Sequence, residues 1–302
     1  KISDFCPIYK GSDESDVVVS QFDKDDVEAV GLVKFDFLGL SNLTVIDKAV
    51  KIIAKKGLSE GLIDIDKLKL DDPKVFKLLQ DCNTTGVFQL ESDGMRGYLK
   101  KLKPDSFEDI VAMLALYRPG PLDAGMVDDY IQVKHGAKVR YPHEMLEEIL
   151  KPTNGVFLYQ EQVMKSAQVM AGYSLGGADI LRRAMGKKKV EEMAEQREVF
   201  VKGAAEKSIN ESKANEIFDL IDKFSGYGFN KSHSVAYAYI SYQTAWLKSH
   251  YPAPFMAAVL SGVMDDTDRV AFTVGESKKN GVIVIAPDIN QSEYEFSITD
   301  NK

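Results

Sequence analysis

Apolar positions along the chain follow two rhythms. Near the start, GLVKFDFLGL (Gly31 to Leu40) alternates Val33, Phe35 and Phe37 with Leu32, Lys34 and Asp36, the period-two signature of a strand with two unlike faces. VVVSQF (Val17 to Phe22) predicts a second short strand. From Leu43 onward the spacing lengthens to that of helices. LTVIDKAVKIIAKKG (Leu43 to Gly57) predicts a helix stopped by glycine, and the segment from Asp71 to Ser92 predicts a short helix with proline in its first turn, followed by a turn-rich stretch. SFEDIVAMLALYRPGP (Ser106 to Pro121) predicts a helix capped by Ser106, with Asp109 at the capping-box position. Pro119, Gly120 and Pro121 break that helix and leave Tyr117 and Arg118 at its end. Further helices are predicted over 158–171, 178–185, 190–206, 212–224 and 234–249, and a last one from about Phe255 into the 270s precedes two short strands in VIVIAPDI and YEFSIT. The pattern predicts a mainly α protein with a small α/β part at the start, a large helical body and a short β tail.

Composition narrows the function classes. The chain has 302 residues, 44% hydrophobic and 28% charged, an ordinary globular make-up with room for about two domains. Two cysteines, Cys6 and Cys82, stand at no metal-ligand spacing, which fits a reducing compartment and makes the cytoplasm the expected location. No apolar run is long enough to cross a bilayer, so no membrane partner is expected. The first residues lack the order of a signal peptide, and the chain does not begin with methionine, so it reads as a fragment. A net charge of −8 argues against a positively coated surface, and any polyanion site must be local.

Three stretches carry chemical potential. LGGADILRRAMGKKK (Leu175 to Lys189) brings Arg182, Arg183, Lys187, Lys188 and Lys189 together beside glycines, with Gly186 ending the helix. Guanidinium forks bind phosphate oxygens bidentately and lysines add point charge, which suits a triphosphate or a nucleic-acid backbone. A solvated basic helix end fits equally well. SGYGFNKSHSVAYAYISYQTAWL (Ser225 to Leu247) places Tyr227, Asn230, Lys231 and His233 in a glycine-rich loop, a mixture able to stack a base and contact phosphate. The plainer reading makes this a helix entry with Ser232 or Ser234 as cap. Tyr239, Tyr242 and Trp246 read as core. In GLVKFDFLGL, Lys34 and Asp36 point to one face, but on an extended strand their side chains start roughly 6.5 to 7 Å apart, so Lys34 is not a straightforward partner for Asp36. A shared exposed face and a polar active-site floor both remain open.

Other patterns mimic sites. Asp23 and Asp25, Asp64 and Asp66, and Asp266 and Asp268 resemble metal-binding pairs but lie in polar, turn-like surroundings. His135, His143 and His250 have no partner at ligand spacing. No Ser-His-Asp elbow, P-loop or dinucleotide-binding fingerprint is present.

VKFDFLGL, TTGVFQLES, LYRPGPL, YQEQVM, GGADILRRAMGKKK, GYGFNKSHS and AYISYQTAWLKSHYPAPFMAAVL, in that order, resemble the alpha subunits of bacterial DNA polymerase III, the C-family replicative polymerases. The resemblance implies a nucleotidyltransferase-like palm ending over 1–40, a helical fingers domain over 41–282 and a β segment over 283–302 leading to a following domain. It implies DNA-directed DNA polymerase activity in chromosome replication, with primer-template DNA and deoxynucleoside triphosphates as substrates and a sliding clamp and other replicase subunits as partners. In that family three aspartates hold two Mg2+ ions. Asp36 matches the third, and Lys34 matches a lysine of the same site. Arg182 and Arg183 match residues at the triphosphate, with Lys187 a further candidate for nucleotide binding, and Tyr227, Asn230, Lys231 and His233 match the loop that closes on the incoming nucleotide. The family's other two catalytic aspartates do not occur here, so the fragment alone is expected to be inactive. An error-prone paralogue of the same family, and a non-catalytic helical module that binds nucleic acid or a partner, are the competing readings.

Overall fold

The computed structural model describes residues 1–11, 17–187 and 190–299. It divides into two compact units, Lys1–Ser41 and Asn42–Lys302.

In the first unit, β1 (Ile8–Lys10) and β2 (Val18–Ser20) pair antiparallel with Tyr9 opposite Val19, and the short α1 (Lys24–Ala29) follows. Asp23 caps α1, its carboxylate accepting from the backbone N–H of Asp25 and Asp26. Residues 33–40 form no strand, which corrects the alternation reading. Val33, Phe35, Phe37 and Leu38 are all largely exposed, so neither face gains the burial that would select an extended strand.

The second unit is helical: α2 (Ser41–Lys55), α3 (Pro73–Gln80), α4 (Asp93–Leu102), α5 (Phe107–Leu116), α6 (Pro119–Asp123), α7 (Met126–Lys134), α8 (Glu147–Leu150), α9 (Gln160–Ala171), α10 (Leu175–Lys187), α11 (Val190–Glu206), α12 (Glu211–Ser225), α13 (Lys231–His250), α14 (Pro252–Ser261) and α15 (Thr267–Lys279). The mainly α class with a small β part therefore holds. The β part is the β1–β2 pair, and the expected tail strands are absent among the described residues after 282. The last predicted helix is two, α14 and α15, because Gly262 ends one and the Asp266 side chain caps the other by accepting from Arg269 N–H at 3.1 Å. Helices α1, α4, α6, α7 and α8 were not foreseen.

Ser106 caps α5 as its sequence requires: its hydroxyl accepts from Asp109 N–H, and the Asp109 carboxylate accepts from Ser106 N–H. Three apolar clusters form the interior. One gathers α3, α4, α5 and α7 around α13, one gathers α8 to α12, and the third joins α2 to α14. Tyr242 of α13 is fully buried, as its placement in the core predicts, and its hydroxyl donates to Lys69 C=O at 2.8 Å and accepts from Asp72 N–H at 3.0 Å. Trp246 and Tyr239 are half-buried, and the Tyr239 hydroxyl donates to Asp66 C=O. Among the described residues no helix is long and apolar enough to cross a membrane.

Candidate nucleotide site

Two segments far apart in sequence zip together at the head of α13. The chain entering α9 and the chain leaving α12 form a parallel bridge between Tyr159 and Phe229. Gln160 N–H donates to Phe229 C=O at 2.9 Å, Phe229 N–H donates to Leu158 C=O at 3.2 Å, and the Gln160 side-chain amide reaches Gly228 C=O at 3.3 Å. This junction fixes where Tyr227, Asn230, Lys231 and His233 stand.

Asn230, not Ser232 or Ser234, is the N-cap of α13: its side-chain oxygen accepts from His233 N–H at 2.8 Å. Lys231 and His233 accordingly belong to the first helical turn, a correction to the loop reading. Asn's short side chain reaches the third residue ahead and satisfies a donor that the helix cannot. The Asn230 amide also donates to Glu161 Oε1 at 3.1 Å, and the Glu161 carboxylate accepts from Lys231 N–H at 3.1 and 3.2 Å. A carboxylate from α9 thus occupies the positive end of the α13 dipole. Lys231, exposed, carries its ammonium 5.5 Å from the Tyr159 ring centre. His233, also exposed, lies against Tyr237 with ring centres 4.2 Å apart and meets Phe229 edge-on at 5.5 Å.

Tyr227 is half-buried, and its ring packs on Gly120 of α6: a Cβ at Gly120 would fall 2.3 Å from Cδ1. Arg118, the residue stranded by the proline break, donates from Nη2 to Tyr227 C=O at 2.7 Å and from Nε to Ala115 C=O at 2.8 Å. Its guanidinium lies 4.4 Å from the Phe229 ring centre. Burial pulls it below its ordinary pKa.

Arg182 and Arg183 sit in the middle of α10, which packs against α9, α11 and α12. Both bind Asp179 one turn back: Arg182 Nη2 at 2.7 Å from Oδ1, and Arg183 Nε at 2.8 Å from Oδ2. Their hydrogen bonds and charge hold the Asp179 carboxyl below its ordinary value. Spacings of i, i+3 and i, i+4 made this pairing readable in the sequence, where it went unnoticed. Helix α10 continues through Gly186, which does not end it as expected. The Lys187 side chain, with Lys188 and Lys189, lies outside the described residues.

In the first unit Lys34 Nζ lies 3.2 Å from Asp36 Oδ2, so the two are partners after all. Freed from strand geometry, the flexible lysine stem spans the gap that a pleated backbone would have held open. Both are exposed, Asp36 at 77% of its side chain. Among the described residues no group of three or more His, Cys, Asp or Glu could hold a metal ion. Two divalent ions need several carboxylate oxygens, and one exposed carboxylate already paired with an ammonium does not fit them.

The aspartate pairs that resemble metal sites have structural work. Asp64 caps a short helical turn, as Asp23 and Asp266 cap α1 and α15. Of the remaining histidines, His143 accepts from Met145 N–H and His250 Nε2 meets Asp72 Oδ2 at 2.7 Å. Arg118 and Glu161 are residues of this junction that sequence reasoning passed over. A lone arginine at a helix break was the available sign for the first, and nothing local marked the second.

The sequence profile of the bacterial DNA polymerase III alpha subunit finger domain matches residues 42–208, and that of the bacterial DNA polymerase III alpha NTPase domain matches residues 1–39. Among curated proteins, a DNA polymerase III subunit alpha of Pseudomonas aeruginosa is 56% identical over 309 aligned positions, covering 100% of this chain and 26% of the relative. Counterparts from Vibrio cholerae, at 56% over 99% of this chain and 26% of the relative, and from Escherichia coli K12, at 55% over 100% and 27%, are similar. The chain spans about a quarter of the length of these relatives. With more than half its length matched by the finger-domain profile alone, the chain belongs to the bacterial DNA polymerase III alpha subunit family.

Proposed function

We propose that this chain supplies the nucleotide-binding face of a DNA-directed DNA polymerase that extends a primer 3′-hydroxyl in bacterial chromosome replication. The observation that carries this reading is the shared scaffold: α9 hydrogen-bonds the segment bearing Tyr227, Asn230 and Lys231 and also packs against α10, the helix of Arg182 and Arg183. Residues 1–40 act as the end of the palm, 41–282 as the fingers, and 283–302 lead toward a following domain. Arg182 and Arg183 bind triphosphate oxygens, already oriented by Asp179, and Lys231 adds positive charge in the first turn of α13. Cations held in place before the reaction stabilise charge that grows on the phosphates without reorganisation at that moment. Tyr227 and His233 offer ring faces to the sugar or base, and Asn230 holds the helix head in register.

In this reading Asp36 contributes a carboxylate to the two Mg2+ ions that the family implies, with Lys34 paired beside it in the first unit. Among the described residues no cluster fits two ions, and in this reading the chain alone does not extend a primer. Primer-template DNA, deoxynucleotides, a sliding clamp and other replicase subunits are the partners, in the cytoplasm.

Thermal melts test the binding face. At a deoxynucleoside triphosphate concentration a hundredfold above Kd, binding stabilises by about 2.7 kcal/mol, and Arg183→Ala abolishes the gain. Salt-sensitive DNA binding with no nucleotide-dependent shift would instead identify a non-catalytic nucleic-acid module. Primer extension by the isolated chain would overturn the assignment of inactivity.

A further inference from the structure

Arg118 is held in an arrangement unlike an ordinary surface arginine. Two of its donors are used on backbone carbonyls, Ala115 at the end of α5 and Tyr227 in the segment before α13, and its face covers Phe229. Among the described residues no carboxylate pairs with it. A half-buried guanidinium without a counter-charge is costly, and its hydrogen bonds, one to Ala115 three residues back and one to Tyr227 across 109 positions of sequence, act as a tie rod. Gly120, two residues on, opens the space that the Tyr227 ring fills. The break at Pro119 and Pro121 sets both features at the right place: it ends α5, turns Arg118 to an extended backbone and starts α6.

We propose that Arg118 is a positioning residue of the nucleotide site, which fixes Tyr227 from behind through the Tyr227 carbonyl while Gly120 seats the ring. This rests on the reading that Tyr227 meets the incoming nucleotide. Arg118 acts through Tyr227, with its Nε and Nη2 on backbone carbonyls and one face of its guanidinium on the Phe229 ring. Lysine keeps the charge but cannot span two carbonyls and a ring face at once.

The test uses full-length polymerase subunit carrying this segment, with single-nucleotide incorporation on a primer-template. Arg118→Lys is expected to raise KM for the deoxynucleotide about tenfold, the loss of one charge-assisted hydrogen bond, with KM for DNA unchanged. Gly120→Ala is expected to give the same split, because its Cβ would displace the Tyr227 ring. In a Tyr227→Ala background neither change has a further effect. An Arg118→Lys penalty that adds to that of Tyr227→Ala would mean direct contact with the nucleotide and overturn the proposal. A normal nucleotide KM in both Arg118→Lys and Gly120→Ala, with Tyr227→Ala defective, would overturn it and leave the site reading intact. A normal KM in Tyr227→Ala itself would remove both.

Discussion

Lys134 tests how burial sets the strength of an ion pair, because two carboxylates approach its ammonium equally closely. Asp109 Oδ2 and Asp105 Oδ1 each lie 2.8 Å from Nζ, but the Asp109 side chain is 5% exposed and that of Asp105 69%. Asp109 also accepts from Asp105 N–H at 3.0 Å and Ser106 N–H at 3.2 Å, and the Tyr130 hydroxyl approaches its other oxygen at 3.4 Å. Asp109→Ala strips all of these partners at once. Breaking a buried pair costs about 3–5 kcal/mol, and because Lys134 keeps Asp105 the expected loss lies at the lower end, about 3 kcal/mol. Asp105→Ala removes an exposed partner at the same distance and should cost under about 1 kcal/mol. Urea unfolding followed by Trp246, the single tryptophan, reads both, since it lies in α13 against the cluster that α5 completes. Equal losses for the two variants, or a loss below about 1 kcal/mol for Asp109→Ala, would show that burial does not set the strength of this knot. The outcome bears on the site, because α5 is the strut whose far end carries Arg118.

Lys248 gives a pH signature. Burial, with the charge of Arg96 adding to it, lowers its ammonium from 10.5 to about 8, while Nζ donates to Thr85 C=O at 2.8 Å. The unfolded chain therefore holds more protons between pH 8 and about 10.5, and stability should rise across that window by up to about 3 kcal/mol. Tyr130 and Tyr159, both pushed up by burial, oppose the gain once unfolded tyrosines ionise near about pH 10. Melts between pH 7.5 and 9.5 should show the rise, and Lys248→Met should flatten it; a flat wild-type profile would refute the account. At Gly203, a Cβ would stand 2.0 Å from the Ala171 carbonyl oxygen, so α9 and α11 approach too closely there for any side chain. Gly203→Ala should cost about 3 kcal/mol or more despite alanine's better helix propensity, by the same urea assay, and a stabilised variant would refute the close approach.

Much of the helical body was legible because helix signals are local. The capping box at Ser106 and Asp109, the proline opening α3 and the span of α11 each depend on residues within a turn or two of one another, and each appears as expected. Strand signals are weaker, since a strand exists only by pairing. Alternation at 32–37 and apolar runs after 282 were not enough without a partner, whereas the stretch at 17–22 found one in Ile8–Lys10. Helix α4 was missed because Gly94 and Gly97 dilute its pattern, yet its apolar face, Met95, Leu99 and Leu102, is buried.

By itself, the sequence determined the class of the fold, the approximate bounds of the longer helices from α9 to α13, the family and the residue types proposed for a polyanion site, all of which follow from near neighbours or from motif order. Tertiary structure decided how those residues are held. Glu161 reaches the head of α13 across 70 positions, Arg118 reaches Tyr227 across 109, and one Asp179 carboxylate orients both arginines of α10. Structure also decided that Lys34 and Asp36 pair, since the sequence could place them on one face but could not say that the backbone there would be free of a strand. Spacing constrains what lies within a turn of helix. Contacts across a chain of this length are set only when the apolar faces pack and bring their ends together.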